Sequence, residues 1–595
     1  MNKKELYNKI LQLDGLTNEE KSELLGLLRK QKKYGLVWED KPEDVEERLR
    51  DELPVLIEDT TKALISDDAD APNHILIEGD NLEALTSLAY THEGKIDVIY
   101  IDPPYNTGNK DFVYNDRIVD KEDSYRHSKW LSFMNKRLRI AKQLLSDSGV
   151  IFISIDDNEQ AQLKLLCDEV FGGENNVGTI IWKKKTNGNN MGLIAPVHDY
   201  ILSYAHNINN ISNKSFGLPL SDEYVKKTYS NPDNDPRGPW TTSDLSANHK
   251  GPYYPITNPL TGEVHYPSKG RYWVFNENET LRRINEGLII FGKSGNAKPV
   301  QKVFLQNRET KKKNADSWWD KHGMNEDGTV ELTEIFNESK KFVHPKPTIT
   351  IKHLLTLPSN KDFTILDFFA GSGTTLHATM QLNAEDGGHR KCILVTNNEN
   401  NICEEVTYER NKRVINGYTT PKGEDVTGLK KNTLRYYRTS FVGRSRSMKN
   451  MRQLMNLSTD MLCIKEDLYT EQTKFGEQPT YKNVFRYFDN GKKRMMIIYK
   501  EEAVPLLADL IRKTDYEGKM RVYVFSPSED PWEGEFEEVA DRVELCALPQ
   551  AIYNAYKRIL PKKKDVALEQ ENNATDSIDK TFDGILNFDE EEDEQ

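Results

Sequence analysis

Asp102-Pro103-Pro104-Tyr105 gathers a carboxylate, a stiffened carbonyl and a flat aromatic face within four residues. That set suits one task, which is to activate the exocyclic amine of a nucleobase. The amine's lone pair is delocalised into the ring, and acceptors aimed at its protons return density to the nitrogen. Asp102 is one acceptor. The carbonyl of Pro103 is a second, held rigidly because successive prolines fix φ and restrict the residue before them. Tyr105 offers a face on which a base can stack. A duplex hides the amine, so the base must be rotated out at a cost of roughly a few kcal/mol. Stacking on Tyr105 offsets about 1 to 3 kcal/mol of that. A plain strand-ending turn is the alternative for the tetrapeptide alone. Its place directly after the apolar run 96–101 favours a site, because ligands in open parallel sheets bind at the carboxyl ends of the strands.

A second group of residues lies far downstream. Asp367-Phe368-Phe369-Ala370-Gly371-Ser372-Gly373-Thr374-Thr375 follows the apolar run 363–366 and opens a helix at Leu376. In that context Gly371 and Gly373 let backbone come close to a cofactor, and the helix N-terminus at Thr374 favours a carboxylate. Asp367 and Phe369 complete the candidate donor loop. The glycine spacing is not that of a dinucleotide fingerprint, which needs glycines at the first, third and sixth places. The next strand, 392–396, ends in Asn397-Asn398-Glu399, and Glu399 is the candidate acceptor for ribose hydroxyls. Asp80, after the strand of Ile75 to Ile77, is the candidate for the adenine ring of the donor. Together the two groups read as a methyl-donor site and an amine-methylating site. The acceptor tetrapeptide precedes the donor glycines, so two halves of one parallel sheet are swapped along the chain.

The elements that must position these residues follow an α/β alternation of strand, loop and helix. Residues 1–70 read as an N-terminal helical region, and 71–206 as the half-sheet with the acceptor motif. From 207 to 337 the alternation stops and turn dipeptides such as Asn258-Pro259 multiply, which marks an inserted domain. It resumes over 338–440 with the donor-binding half. Residues 441–560 read as an α+β domain, with strands at 495–499 and 521–525 around a helix at 504–512. An acidic tail, 561–595, is poor in aromatics and reads as disordered.

Charge follows the same partition. The chain of 595 residues carries -14 overall, yet 565–595 holds twelve acidic residues against Lys580 alone. Residues 181–320 hold nineteen Lys and Arg against thirteen Asp and Glu, so DNA phosphates would be met in the middle of the chain. Seventeen aromatics share that segment, including Trp182, Trp240, Tyr253, Tyr254, Trp273, Trp318 and Trp319, interleaved with the lysine runs 183–185 and 311–313. Most tryptophans there read as core of the insertion. No apolar stretch approaches the roughly 18 residues of a membrane span, and no leader is visible, so a cytoplasmic location is expected. The five cysteines are scattered without metal-ligand spacing, and no metal site is expected.

Gly287-Leu288-Ile289-Ile290-Phe291-Gly292-Lys293-Ser294 matches a phosphate loop letter for letter, but a helix precedes it and its middle is strand-like. Gly287 reads instead as a helix C-cap, with a strand at 288–291.

With both motifs in place the chain resembles the modification (Mod) subunit of type III restriction-modification systems, a β-class amino-methyltransferase. Supporting stretches include Lys33 to Glu39, Glu78-Gly79-Asp80-Asn81, Ser154-Ile155-Asp156-Asp157-Asn158-Glu159, His198-Asp199-Tyr200, Asp235-Pro236-Arg237-Gly238 and Pro345-Lys346-Pro347. The resemblance implies a Rossmann-like class I S-adenosylmethionine-dependent methyltransferase sheet in circularly permuted motif order. It implies S-adenosylmethionine as donor, a flipped adenine of duplex DNA as acceptor and the insertion as target-recognition domain. It also implies a homodimer with a restriction (helicase-nuclease) subunit as partner, and Lys346 near the methionine end of the donor. The family's usual proline after the first Asp of the glycine motif is Phe368 here, which alters loop stiffness. Alternatives are cytosine N4 or structured RNA as acceptor, a non-catalytic recognition subunit of a nuclease, and an ATPase using Lys293.

Overall fold

The computed structural model describes residues 36–560 except 110, 116, 187–192, 213–215, 293–295, 308–311, 359 and 529. The acidic tail, the first half (1–35) of the N-terminal helical expectation and the Lys293-Ser294 end of the phosphate-loop match lie outside the described residues.

Ten strands build one mixed sheet. They are β1 (Glu52–Glu58), β2 (Asn73–Glu78), β3 (Ile96–Ile101), β4 (Leu145–Ile155), β5 (Asn176–Lys183), β6 (His198–Ala205), β7 (Trp318–Trp319), β8 (Thr364–Asp367), β9 (Lys391–Thr396) and β10 (Thr433–Gly443). Their order in space is β1-β10-β2-β9-β8-β3-β4-β6-β5-β7. From β10 to β4 every pairing is parallel, and β6 then enters antiparallel to both β4 and β5. The downstream strands β8 and β9 are therefore inserted between the upstream strands β2 and β3, which is the permuted order the motifs require.

Parallel strands covered on both faces read as continuous apolar runs. Accordingly Ile96, Val98, Ile99 and Ile101 of β3 and Ile365 and Leu366 of β8 are fully buried. Each such side chain contributes roughly 1.5 to 3 kcal/mol on leaving water. Helices α1 (Asp44–Asp51), α2 (Asn81–His92), α3 (Arg126–Leu144), α4 (Asn325–Phe336), α5 (Thr374–Asp386) and α6 (Glu409–Asn416) accompany the sheet.

The boundaries differ from the expected ones in three places. Within 36–70 there is only one helical segment, α1, and the chain continues into β1, an edge strand paired antiparallel with β10 from Glu52↔Gly443 to Glu58↔Tyr437. The short apolar stretch Leu53 to Ile57 outweighs the polar helical flank because β10 offers it an open edge. The inserted unit comprises 211–316 and 353–360, narrower than 207–337. Trp318 and Trp319 instead extend the large sheet beside β5, and α4 belongs with them. Finally, 441–560 does carry a five-stranded sheet, including Arg494–Ile498 and Met520–Phe525 about the helix Val504–Lys513. It is not a separate body: the Tyr556 hydroxyl donates to Pro54 O of β1 at 2.7 Å, and Met461 and Leu462 share the core of β1 and α2.

The inserted unit, by itself, holds a three-stranded sheet with Trp240–Asp244, Val300–Phe304 and Ile289–Ile290, and a small core of Leu245, Ile256, Trp273, Ile289 and Phe291. Gly287 has φ +66 just beyond the helix Glu277–Asn285, so it caps that helix rather than cradling a phosphate.

Candidate active site

β3 and β8 are adjacent and parallel, with Val98 opposite Ile365 and Ile99 opposite Leu366. The loops that leave their carboxyl ends, at Asp102 and Asp367, therefore emerge side by side although 265 positions separate them in sequence.

At the first loop the Tyr105 hydroxyl donates to Asp102 Oδ1 at 2.9 Å. The Lys346 ammonium donates to Asp102 Oδ2 at 2.6 Å and to the Tyr105 oxygen at 3.1 Å. Burial, and next the Asp102 charge, hold the Tyr105 phenol well above its ordinary range, so it stays protonated as a donor. Trp130 Nε1, from α3, donates to Pro104 O at 2.7 Å and fixes the second proline. Asp199, one residue into β6, is buried beside this group and pairs with Lys184 at 2.6 Å. Burial raises its carboxyl, the charges of Lys346 and Lys184 oppose that rise, and Asp102 adds to it. Lys346 also lies 5.9 Å from the Trp182 ring.

Next to this cluster is a cleft of about 350 Å³ lined by Asp80, Pro104, Phe369, Thr396, Asn397 and Glu399 among others. Four residues singled out in the sequence, Asp80, Pro104, Phe369 and Glu399, thus share one cavity. Asp80 doubles as the N-cap of α2, accepting from Leu82 N at 2.7 Å. No residue pattern signals the supports beneath it. Arg137, 1% exposed on α3, reaches Glu43 by two 3.0 Å hydrogen bonds and also binds Asn81. Asn81 Nδ2 in turn donates to Phe368 O at 3.2 Å. A buried arginine in a helix has no signature beyond its own letter, so this link between α1, α2 and the donor loop is visible only in three dimensions.

The remaining donor-loop residues act from behind the cleft. A Cβ on Gly373, which has φ +74, would come within 2.5 Å of Asn411 Nδ2 and 3.1 Å of Thr407 Cγ2. A Cβ on Gly371, φ +49, would meet the Phe342 ring at 3.1 Å. These glycines permit close packing against neighbouring protein, and neither is among the residues lining the cleft. The Thr374 hydroxyl accepts from the fully buried Arg410 at 2.8 Å and donates to Lys346 O at 3.1 Å, tying the start of α5 to the backbone that carries Lys346. Arg410 also reaches Ser372 and, across to α4, Glu331. Lys346, expected near the methionine end of a donor, directs its ammonium to Asp102. Asp367 is buried, accepts from Thr375 Oγ1 at 2.6 Å and Phe369 N at 3.0 Å, and its carboxyl is pushed up to about 7 by burial.

The cleft has the chemistry an adenosyl group needs: carboxylates at Asp80 and Glu399 to accept from an amine and from hydroxyls, the Phe369 ring at one wall, and Pro104 of the Asp102 loop at another. Of the central aromatics, Trp182, Trp240, Trp273 and Trp319 are buried, as core residues, while Tyr253 and Trp318 are 60% and 52% exposed. Among the described residues no helix is long and apolar enough to cross a membrane.

Residues 96–415 match the DNA methylase family model N6_N4_Mtase, and the chain belongs to that family. It is 36% identical over 371 residues to the type III restriction-modification enzyme StyLTI Mod subunit of Salmonella typhimurium strain LT2, over 58% of this chain and 55% of that one. It is 32% identical over 407 residues to the EcoP15I Mod subunit of Escherichia coli, over 58% and 61%. It is 34% identical over 374 residues to the type II methyltransferase M.KpnI of Klebsiella pneumoniae, over 59% of this chain and 87% of that one. The alignments thus span 55% to 61% of the length of these two Mod relatives.

Proposed function

We propose that this chain is a site-specific DNA methyltransferase that moves a methyl group from S-adenosylmethionine to the N6 amine of adenine in duplex DNA. We further propose that it serves as the modification subunit of a type III restriction-modification system in the cytoplasm, as a homodimer with a restriction subunit. The observation that carries the reading is the hydrogen-bonded cluster of Asp102, Tyr105 and Lys346, joined through Pro104 of the same loop to a cleft that Asp80 and Glu399 also line.

S-adenosylmethionine, when bound, supplies a methyl group already activated on a sulfonium. The residues of this chain do the rest by binding and orientation, which contribute most where the donor is intrinsically reactive. Glu399 accepts from ribose hydroxyls, Asp80 from the donor adenine amine, and Phe369 packs against the donor. The extruded adenine stacks on Tyr105. Asp102 and the Pro103 carbonyl accept from its amine, which localises the lone pair on nitrogen. Asp102 would also accept the proton that the amine nitrogen gives up on taking the methyl group. Tyr105 and Lys346 hold the Asp102 carboxylate in place throughout. An aspartate at the first place of the tetrapeptide favours adenine over cytosine N4. The inserted unit reads the target sequence, with the exposed, stacked pair Tyr253 and Tyr266 available to bases.

Base and site are tested together by mapping modified bases in genomic DNA from cells expressing the chain and from cells with empty vector. N6-methyladenine at one recurring sequence supports the proposal. N4-methylcytosine, or no modification, counts against it.

A further inference from the structure

Asn106 follows the acceptor tetrapeptide directly. It is 1% exposed and sits in the left-handed region at φ +57, where asparagine is tolerated but still requires local support. The support comes from Glu159, on the loop after β4, the strand beside β3. Asn106 Nδ2 donates to Glu159 Oε1 at 2.6 Å and to Arg126 O at 3.3 Å. His127, from α3, approaches the same Glu159 oxygen with Nδ1 at 2.7 Å. Its other nitrogen, Nε2, accepts from Arg126 Nε at 3.2 Å. That leaves the proton of a neutral imidazole on Nδ1, donated to Glu159. Glu159 is wholly buried, and both its second oxygen, Oε2, and Asn106 Oδ1 lack a hydrogen-bond partner. Two buried orphan acceptors in one cluster are costly unless a proton resides there.

We infer that Glu159 is a positioning residue for methyl transfer: through Asn106 it holds the Asp102–Tyr105 turn in the shape that presents both side chains to the base. The inference rests on the proposed function for its kinetic part. Glu159 does this work as a neutral carboxylic acid. Burial pushes it up to about 8; the Asn106 hydrogen bond and the charge of Arg126 oppose that rise, and Asp156 adds to it. His127 is held below its usual value by burial and by Arg126, which keeps it neutral too. Ionisation of Glu159 at higher pH places a charge in a closed polar cluster and loosens the turn.

Glu159→Gln keeps an acceptor for both donors and mimics the neutral acid, whereas Glu159→Ala removes the brace. A displacement of about 1 Å at a reacting group costs on the order of a hundredfold in rate. Glu159→Ala should therefore lose roughly that factor in kcat, with donor Kd changed by less than about twofold. Glu159→Gln should stay within about threefold of wild type and should lack the decline in rate expected of wild type above pH about 8. Independently of turnover, amide hydrogen exchange over 102–108 should rise about tenfold or more in Glu159→Ala and stay at wild-type rates in Glu159→Gln. Wild-type exchange in Glu159→Ala, or a Glu159→Gln variant as impaired as Glu159→Ala, overturns the inference. Should Glu159→Ala not fold, the alkaline limb of Glu159→Gln decides. An absence of transfer by wild type would count against the proposed function, and the exchange measurement would still decide the brace.

Discussion

The Lys346 ammonium rests 2.6 Å from Asp102 Oδ2, although the two residues belong to opposite halves of a permuted sheet. Lys346 is 10% and Asp102 27% exposed, so the pair is largely shielded from water. Its backbone carbonyl accepts from Thr374, at the start of the donor helix. One lysine thereby connects the donor loop to the acceptor carboxylate.

Replacing that lysine should uncouple the two loops. Lys346→Met keeps an unbranched apolar side chain of similar length and removes the charge, leaving Asp102 without its cation. We expect kcat to fall about ten- to a hundredfold, equivalent to roughly 1.4 to 2.7 kcal/mol of barrier, while donor affinity changes little. Single-turnover methylation alongside calorimetric donor binding separates the two. A variant that loses donor affinity with unchanged kcat would place the ammonium at the donor instead.

Glu399 and Asp80 should behave differently although they line one cleft. Hydrogen bonds to charged groups contribute roughly 1.5 to 3 kcal/mol, so Glu399→Ala should weaken donor binding by about ten- to a hundredfold and leave unfolding untouched. Asp80→Ala should weaken binding and also destabilise, because it removes a helix cap that is typically worth ~1 kcal/mol. Isothermal titration with donor and urea unfolding of both variants give the contrast. Equal stability of Asp80→Ala and wild type would contradict the capping role.

Much of this arrangement could be read from the chain, for identifiable reasons. The runs Ile96 to Ile101 and 363–366 are apolar except at Asp97 and Thr364, as suits strands buried on both faces, and each is followed by an aspartate before a turn. That signal located both loops, and Asp80, Pro104, Phe369 and Glu399 meet in one cleft as a consequence. What escaped were single polar letters inside helices. Arg137, Arg410 and Asn411 have no spacing that distinguishes them from surface residues, yet all three are fully buried and brace the loops. Strand β1 was missed because Leu53 to Ile57 is short and flanked by charge, and only the free edge of β10 makes it a strand. Gly371 and Gly373 take positive φ at a strand-to-helix turn, but their neighbours in space, Phe342, Thr407 and Asn411, lie too far along the sequence to be seen as partners.

Gly373→Ala tests that packing. With φ +74 and a new Cβ 2.5 Å from Asn411 Nδ2, the substitution combines backbone strain with overpacking. Each effect costs of order 1 to 3 kcal/mol. A lower urea midpoint, with an unchanged slope, is the expected outcome. A midpoint equal to wild type would show that the loop has more room than the structure allows.

Asp367 makes stability depend on pH in an unusual direction. Its carboxyl lies near 3.8 when unfolded and about 7 when folded, raised by burial. Between those values the folded protein holds a proton that the unfolded chain has released, so this residue's contribution is complete below pH about 4 and is lost as pH rises through 7. Asp367→Asn, which can still accept from Phe369 N, should remove that decline. Urea midpoints at pH 5 and pH 8 should therefore differ less in the variant than in wild type. The same difference in both proteins would mean that the carboxyl ionises normally.

The most direct test of the whole account is Asp102→Ala, assayed for donor binding by calorimetry and for transfer of a labelled methyl group to duplex DNA. Asp102 lies outside the residues lining the cleft and is the proposed acceptor for the amine. Wild-type donor affinity is expected together with loss of transfer by at least about a thousandfold, in the range of an essential transition-state contact. A variant that binds donor and methylates DNA at the wild-type rate would contradict it.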